Sequence, residues 1–251
     1  MAVESGKQLT AEDYAYQFPD HWLLDRDVDN TFGIVHKVYA NRVVALVRDS
    51  GAQSVIEVGC GDGWNVGKLV EAGCKNVVGI DWSKNGIDHA KRMVPTAQFY
   101  CGNLTDSEFM DQFPDLFDAA ILVEVLEHIP PQECVQALQN MIQFIRPGGT
   151  FVLTTPSTNY PNDNPYHYRH FTEPVLQELI EEVGNLDIIS LEGYGDYNAL
   201  QQMWMLRRWV DNRYYCIYGL KHWLAKQFAK KCHNPPLDRC MGFIVVMRKR
   251  G

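Results

Sequence analysis

"VIEVGCGDGW", residues 55–64, decides the fold. An apolar run of β character ends abruptly in Gly59, Gly61 and Gly63. Glycines at that point let a strand turn sharply into a helix and bring backbone amides against a ligand without Cβ interference. A dinucleotide fingerprint would place its third glycine at position 64, where this chain has Trp64, which counts against a nicotinamide or flavin cofactor. The G-x-x-x-x-G-K phosphate loop is also missing from the sequence.

Outward from this turn, short apolar runs alternate with longer stretches of helical period, the pattern of βαβ units and a parallel sheet. Strands are predicted at SVIEV (54–58), NVVGI (76–80), AQFYC (97–101), FDAAIL (117–122), TFVLTT (150–155), LDIISL (186–191) and GFIVVM (242–247). Between the fourth and fifth, Val135, Leu138, Ile142 and Ile145 recur at helical spacing, and "RPGG" (146–149) is expected to stop that helix. Before the sheet, residues 33–51 read as an amphipathic helix, preceded by the aromatics Tyr14, Tyr16, Phe18 and Trp22.

Two acids and an amide refine the ligand. Glu57 lies at the end of the first strand, and Asp81 ends the second, where a carboxylate can accept both hydroxyls of a ribose. Trp82 is placed to stack on an adenine, and Asn103, after the third strand, can both donate to and accept from a base edge. The order acid, glycine turn, acid, polar residue describes a pocket for a nucleoside with a positive centre and no pyrophosphate. Here the chain resembles the class I S-adenosylmethionine-dependent methyltransferases, whose E/D-x-G-x-G-x-G motif is matched by Glu57, Gly59, Gly61 and Gly63. The resemblance covers about 53–192 and the last strand. It implies an α/β fold: a doubly wound, Rossmann-like seven-stranded sheet with the last strand antiparallel. It also implies S-adenosylmethionine as cofactor, held by Glu57, Gly59, Cys60, Gly61, Gly63, Asp81, Trp82, Asn103, Leu104 and Val123. The family more often has Asp where this chain has Asn103.

"EVLEHIPP" (124–131) then falls beyond the fourth strand, where the transferable methyl group should point. A hydroxyl acceptor must lose its proton to a base or through a metal. Glu124, His128 and His167 are the catalytic candidates, and Glu124, Glu127, His128 and His167 form a set suited to Mg2+, Mn2+ or Fe2+. The arrangement looks like the small-RNA 3′-terminal 2′-O-methyltransferases. It is also similar to ubiquinone-pathway O-methyltransferases, which share "EVLEH", and to natural-product and sugar methyltransferases, which share "NPyHxRxxT". A competing reading makes Glu127 and His128 the polar start of the following helix, with His167 and His170 bonded locally.

Composition bounds the partners. The 251 residues, 46% hydrophobic, suffice for one full core with an elaboration. A net charge of -8 counts against nucleic acid. Seven cysteines without a close pair suggest reduced thiols and a cytoplasmic setting, and no apolar run is long enough to span a bilayer. The organisation expected is an N-terminal helical flap (1–50), a cofactor core (51–192 and 240–251) and an aromatic, basic helical insertion (193–239). Within the insertion, residues 197–231 hold seven Lys or Arg against one Asp, a balance of +6. It is read as a lid, a homodimer contact or a peripheral membrane contact. Tyr14, Tyr16, Phe18, Trp22, Tyr166, Arg169, His170, Trp204 and Arg207 are the substrate and lid candidates, while "NPPL" (234–237) reads as a turn.

The expected activity is methyl transfer to a hydroxyl of a small-molecule or sugar-like acceptor. The alternatives are a metal-dependent RNA 3′-terminal 2′-O-methyltransferase, a small-molecule N-methyltransferase and a non-catalytic cofactor-binding protein.

Overall fold

The first predicted strand, β1 (Ser54–Val58), lies inside a seven-stranded sheet with β2 (Asn76–Asp81), β3 (Gln98–Cys101), β4 (Phe117–Val123), β5 (Ile145–Pro156), β6 (Leu186–Asp196) and β7 (Cys240–Lys249). The order in this computed structural model is β3-β2-β1-β4-β5-β7-β6. The model describes residues 16–26, 30–103, 113 and 116–251. Strands β1 to β5 pair in parallel, and β7 runs antiparallel between β5 and β6, as expected.

Both faces of the sheet are covered, which is why the central strands read as continuous apolar runs. Alternate residues serve opposite faces. Val55, Ala119 and Ile121 pack with α2 (Thr31–Asp49), α3 (Trp64–Glu71) and α4 (Lys84–Met93), through Val43, Leu69 and Ile87. Ile56, Ala120 and Leu122 pack with α5 (Cys134–Gln143) and α6 (Glu173–Val183), through Leu138, Met141 and Ile180. A short helix, α1 (Asp20–Arg26), precedes α2, and α7 (Tyr197–Val210) and α8 (Tyr218–Lys231) form a hairpin between β6 and β7.

Two boundaries differ from expectation. The helix after β4 ends at Gln143, and Ile145 belongs to β5, opposite Phe117. Phe117 N donates to Phe144 O at 2.7 Å, so sheet pairing captures the chain before Pro147 is reached. "RPGG" therefore sits in the strand, where Gly148 has φ 74 beside a register shift in the β4–β5 ladder. Strand β6 also continues past 191 to Asp196, because Gly193 and Tyr194 keep pairing with Phe243 and Gly242. The helical part of the insertion thus starts at Tyr197, where the Asp196 carboxylate accepts from Ala199 N at 3.0 Å.

Candidate active site

A cavity of about 280 Å³ opens beyond the carboxyl ends of β1, β2 and β4, the position where ligands bind in open α/β sheets. The glycine turn forms its floor. Gly59 and Gly61 have φ 76 and 51, and a Cβ on Gly61 would meet the Tyr16 hydroxyl at 2.5 Å. Asp81 ties the turn to β2: its Oδ2 accepts from Gly61 N at 2.8 Å and its Oδ1 from Ser83 N at 2.7 Å. Asp62, Asp81 and Glu124 line the cavity together with the rings of Tyr16, Tyr39, Trp64 and Trp82. Among the described residues no Lys or Arg does so. Acids and π faces without a Lys or Arg suit a cationic ligand.

Helix α1 is held by a residue that the sequence reading passed over. Asp62 is fully buried and accepts from both His21 N (2.9 Å) and His21 Nδ1 (3.0 Å), while its carbonyl accepts from Trp22 Nε1 at 3.0 Å. Burial opposes a charge on His21, but the Asp62 carboxylate outweighs it and raises the imidazole above its ordinary value. The His36 ring stacks on His21 at 5.0 Å, and burial, aided by His21, pushes it down to about 3. His36 is therefore neutral at physiological pH, edge-on to Trp64 in the cavity wall.

The stretch after β4 resolves into two sets. Glu124 adopts φ 54, a left-handed conformation costly for a residue with a side chain. Its backbone N donates to Thr154 Oγ1 at 3.1 Å, and its Oε1 accepts from the Thr154 hydroxyl at 2.8 Å. The Tyr194 hydroxyl donates to the same carboxylate. Burial raises the Glu124 carboxyl, against those two hydrogen bonds and the nearby His128. Glu127, His128 and His167 form the second set, with ligand atoms within 4.8 Å of one another. Glu127 is buried and accepts from Thr155 Oγ1 at 3.2 Å. Glu124 does not join this set, because its left-handed backbone directs the carboxylate to Thr154 and Tyr194. Of the competing reading, the local bonding of His167 and His170 is present, while the 3-10 turn Leu126–His128 has no side-chain cap and α5 begins only at Cys134.

A hydrogen-bond chain orients His167. His170 Nδ1 lies 3.0 Å from Tyr160 O, and a carbonyl can only accept, so that nitrogen carries the proton. In that tautomer its Nε2 accepts from His167 Nδ1, 2.9 Å away. His167 then keeps a lone pair on Nε2, the nitrogen left for a metal or a proton. Burial, with His128 and His170 nearby, holds His167 down at about 4. A carboxylate and two imidazoles whose ligand atoms lie within 4.8 Å of one another are a donor set that fits a divalent ion.

The comparisons with known proteins agree with this geometry. Residues 55–149 match the family model described as a methyltransferase domain. A Mycolicibacterium smegmatis protein named "Probable S-adenosylmethionine-dependent methyltransferase" is 28% identical over 59% of this chain and 57% of its own length. A ubiquinone biosynthesis O-methyltransferase of Rickettsia felis is 24% identical over 77% of this chain and 87% of its own. Residues 55–149 form a methyltransferase domain, and the fold around them is that of the class I S-adenosylmethionine-dependent methyltransferases. Magnesium protoporphyrin IX methyltransferase from Synechocystis, solved with S-adenosylmethionine, shares the fold with a TM-score of 0.61 at 16% identity, covering 97% of each chain.

Of the cofactor candidates in this methyltransferase, Gly59, Cys60, Gly61, Asp81, Trp82 and Val123 line the cavity. Gly63 stands one step back, capping α3 with φ 79. Glu57 is buried beneath the turn and accepts from Asn65 Nδ2 at 2.7 Å. Asn103 is exposed beyond β3 and is not part of the lining. Of the lid candidates, Tyr16 and Tyr166 line the cavity, whereas Phe18 is 62% exposed and Trp22 packs on Gly67. Arg169 lies over the Phe171 ring at 4.5 Å. Trp204 approaches Thr31, Arg207 reaches Asp211, and neither borders the cavity. Tyr14 and Leu104 lie outside the described residues. The residues that sequence reasoning missed are His21, His36, Tyr39, Asp62, Thr154 and Tyr194. Only Asp62 carried a local signal, lying inside the glycine motif.

Proposed function

We propose that this methyltransferase transfers a methyl group to a hydroxyl oxygen of a small-molecule or sugar-like acceptor. The supporting observation is the convergence of Glu127, His128 and His167 beside the acidic, aromatic cavity. S-adenosylmethionine supplies an electrophilic methyl on a sulfonium; the protein's task is to align an oxygen with it and remove the proton.

Asp81 would hold the ribose, and the backbone of the glycine turn on the cavity floor would face the methionine part. Asp62, Glu124 and the surrounding rings favour positive charge. His167, kept neutral and with its Nε2 lone pair available, accepts the hydroxyl proton or, with His128 and Glu127, holds a divalent ion that lowers the hydroxyl's pKa. Half-buried Glu124, bonded to Thr154 and Tyr194, shapes the wall on the acceptor side. Relatives named for O-methylation support oxygen over nitrogen. The net charge of -8 weighs against the RNA reading.

Calorimetry with S-adenosylhomocysteine tests cofactor binding. An acceptor screen for S-adenosylhomocysteine release, with EDTA and metal readdition, tests the chemistry. Failure of His128→Ala and His167→Ala to lower turnover with a hydroxyl acceptor would remove the proposed proton step.

A further inference from the structure

The α7–α8 hairpin has a buried base and an unpartnered distal half. Ala199, Leu200 and Met203 at one end, and Leu224, Ala225 and Phe228 at the other, belong to the core. Between them the pattern inverts. Among the described residues, ten of the twenty exposed large apolar side chains fall between Trp204 and Trp223, an interval of twenty positions. Trp209, Tyr214 and Tyr218 are 77%, 78% and 75% exposed around the chain reversal closed by the Asp211–Cys216 bridge. Monomeric soluble proteins seldom leave so concentrated an apolar patch uncovered.

We propose that the distal hairpin docks on the surface of an anionic lipid bilayer. Two features select this occupant. The exposed set is rich in Trp and Tyr, whose rings bury an apolar body while keeping a polar tip wet, the chemistry of the bilayer interface. The segment 197–231 carries +6 within a chain of net -8, and its single acid, Asp211, is already paired with Lys221 (3.1 Å) and Arg207 (3.5 Å). Arg208 and Arg213, both exposed, flank Trp209 and Tyr214 and would meet lipid phosphates as the rings enter the headgroup layer. A second copy of the hairpin would bring like charges together, which disfavours self-pairing through this face. No described helix is long and apolar enough to cross a membrane, so the contact is peripheral. The surface continues onto the start of α2, where Phe32 is exposed and its ring lies 6.4 Å from Trp204.

The test uses the intact chain and vesicles of phosphatidylcholine, alone or mixed with phosphatidylglycerol. The protein should sediment with the mixed vesicles and be released by salt, and its tryptophan emission should be quenched by bromine on the acyl chains. Arg208→Glu combined with Arg213→Glu should lower partitioning by roughly tenfold or more, since each basic group near an anionic surface contributes about 1 kcal/mol. Trp209→Ser with Tyr214→Ser and Tyr218→Ser should abolish the quenching at an unchanged melting temperature, because these side chains are exposed. No sedimentation with mixed vesicles, or variants that sediment like the wild type, would overturn the proposal. So would light scattering that shows a dimer which the triple variant converts to monomer.

Discussion

Replacing Glu57 by Gln should remove a pH-dependent weakness from the core. Glu57 is fully buried on β1; Asn65 Nδ2 donates to Oε1, and Oε2 has no hydrogen-bond partner among the described residues. Burial pushes its carboxyl up to about 8, although the Asn65 hydrogen bond and the charge of His21 pull the other way. The unperturbed carboxyl titrates at 4.5. Between those two values the folded chain keeps a proton that the unfolded chain has lost. Stability from this group is therefore complete below the unfolded value and declines as pH rises through the folded one. At about 1.4 kcal/mol per pKa unit, the wild type should lose about 3 kcal/mol relative to the Gln variant between about pH 5 and about pH 8. Gln keeps the acceptor for Asn65 and cannot ionise, and the other titrating groups are common to both proteins. Urea unfolding followed by tryptophan fluorescence across that range measures the difference. Stability curves that run parallel for the two proteins would refute the view that Glu57 is held as a neutral acid.

Other outcomes follow from the site. Gly61→Ala places a Cβ against the Tyr16 hydroxyl at a left-handed φ, so urea unfolding should show the fold destabilised by about 1–2 kcal/mol or more. His170→Leu should weaken divalent-metal binding by roughly 10- to 100-fold, as loss of an orienting partner does, and His170→Gln should restore it by returning an acceptor to His167 Nδ1. Unchanged Mn2+ affinity in the Leu variant, read by electron paramagnetic resonance, would exclude the orienting role. Asp62→Ala leaves the His21 backbone N–H without its partner, at a cost of about 1–3 kcal/mol. Hydrogen exchange in Asp20–Arg26 should accelerate accordingly while exchange in β1 stays slow.

The sheet was legible because its order is written locally: apolar runs of strand length, a glycine turn, and acids at strand ends. Gly59, Gly61, Asp81 and Val123 fall on the cavity for that reason. Helix termination at "RPGG" was misplaced because long-range pairing of Ile145 with Phe117 overrides helical period, which no window of residues 135–149 can show. His21, His36 and Tyr194 were not legible at all. Their positions depend on contacts across 41 residues for His21 with Asp62, and on a strand that outlasted its apolar pattern for Tyr194. The "EVLEH" cluster was half legible. Spacing brought Glu127, His128 and His167 together, whereas the left-handed turn that separates Glu124 from them is a backbone event with no side-chain signature.

The cavity draws none of its lining from residues 197–239, although the base of the hairpin packs into the same core cluster as Ile34, Val38 and Val43 of α2. The residues that line the cavity and those of the proposed lipid contact thus lie in separate stretches of chain. Natural variation or grafting can rewrite the exposed distal half of the hairpin, altering what the protein meets there, while its buried base and the nucleoside pocket stay intact.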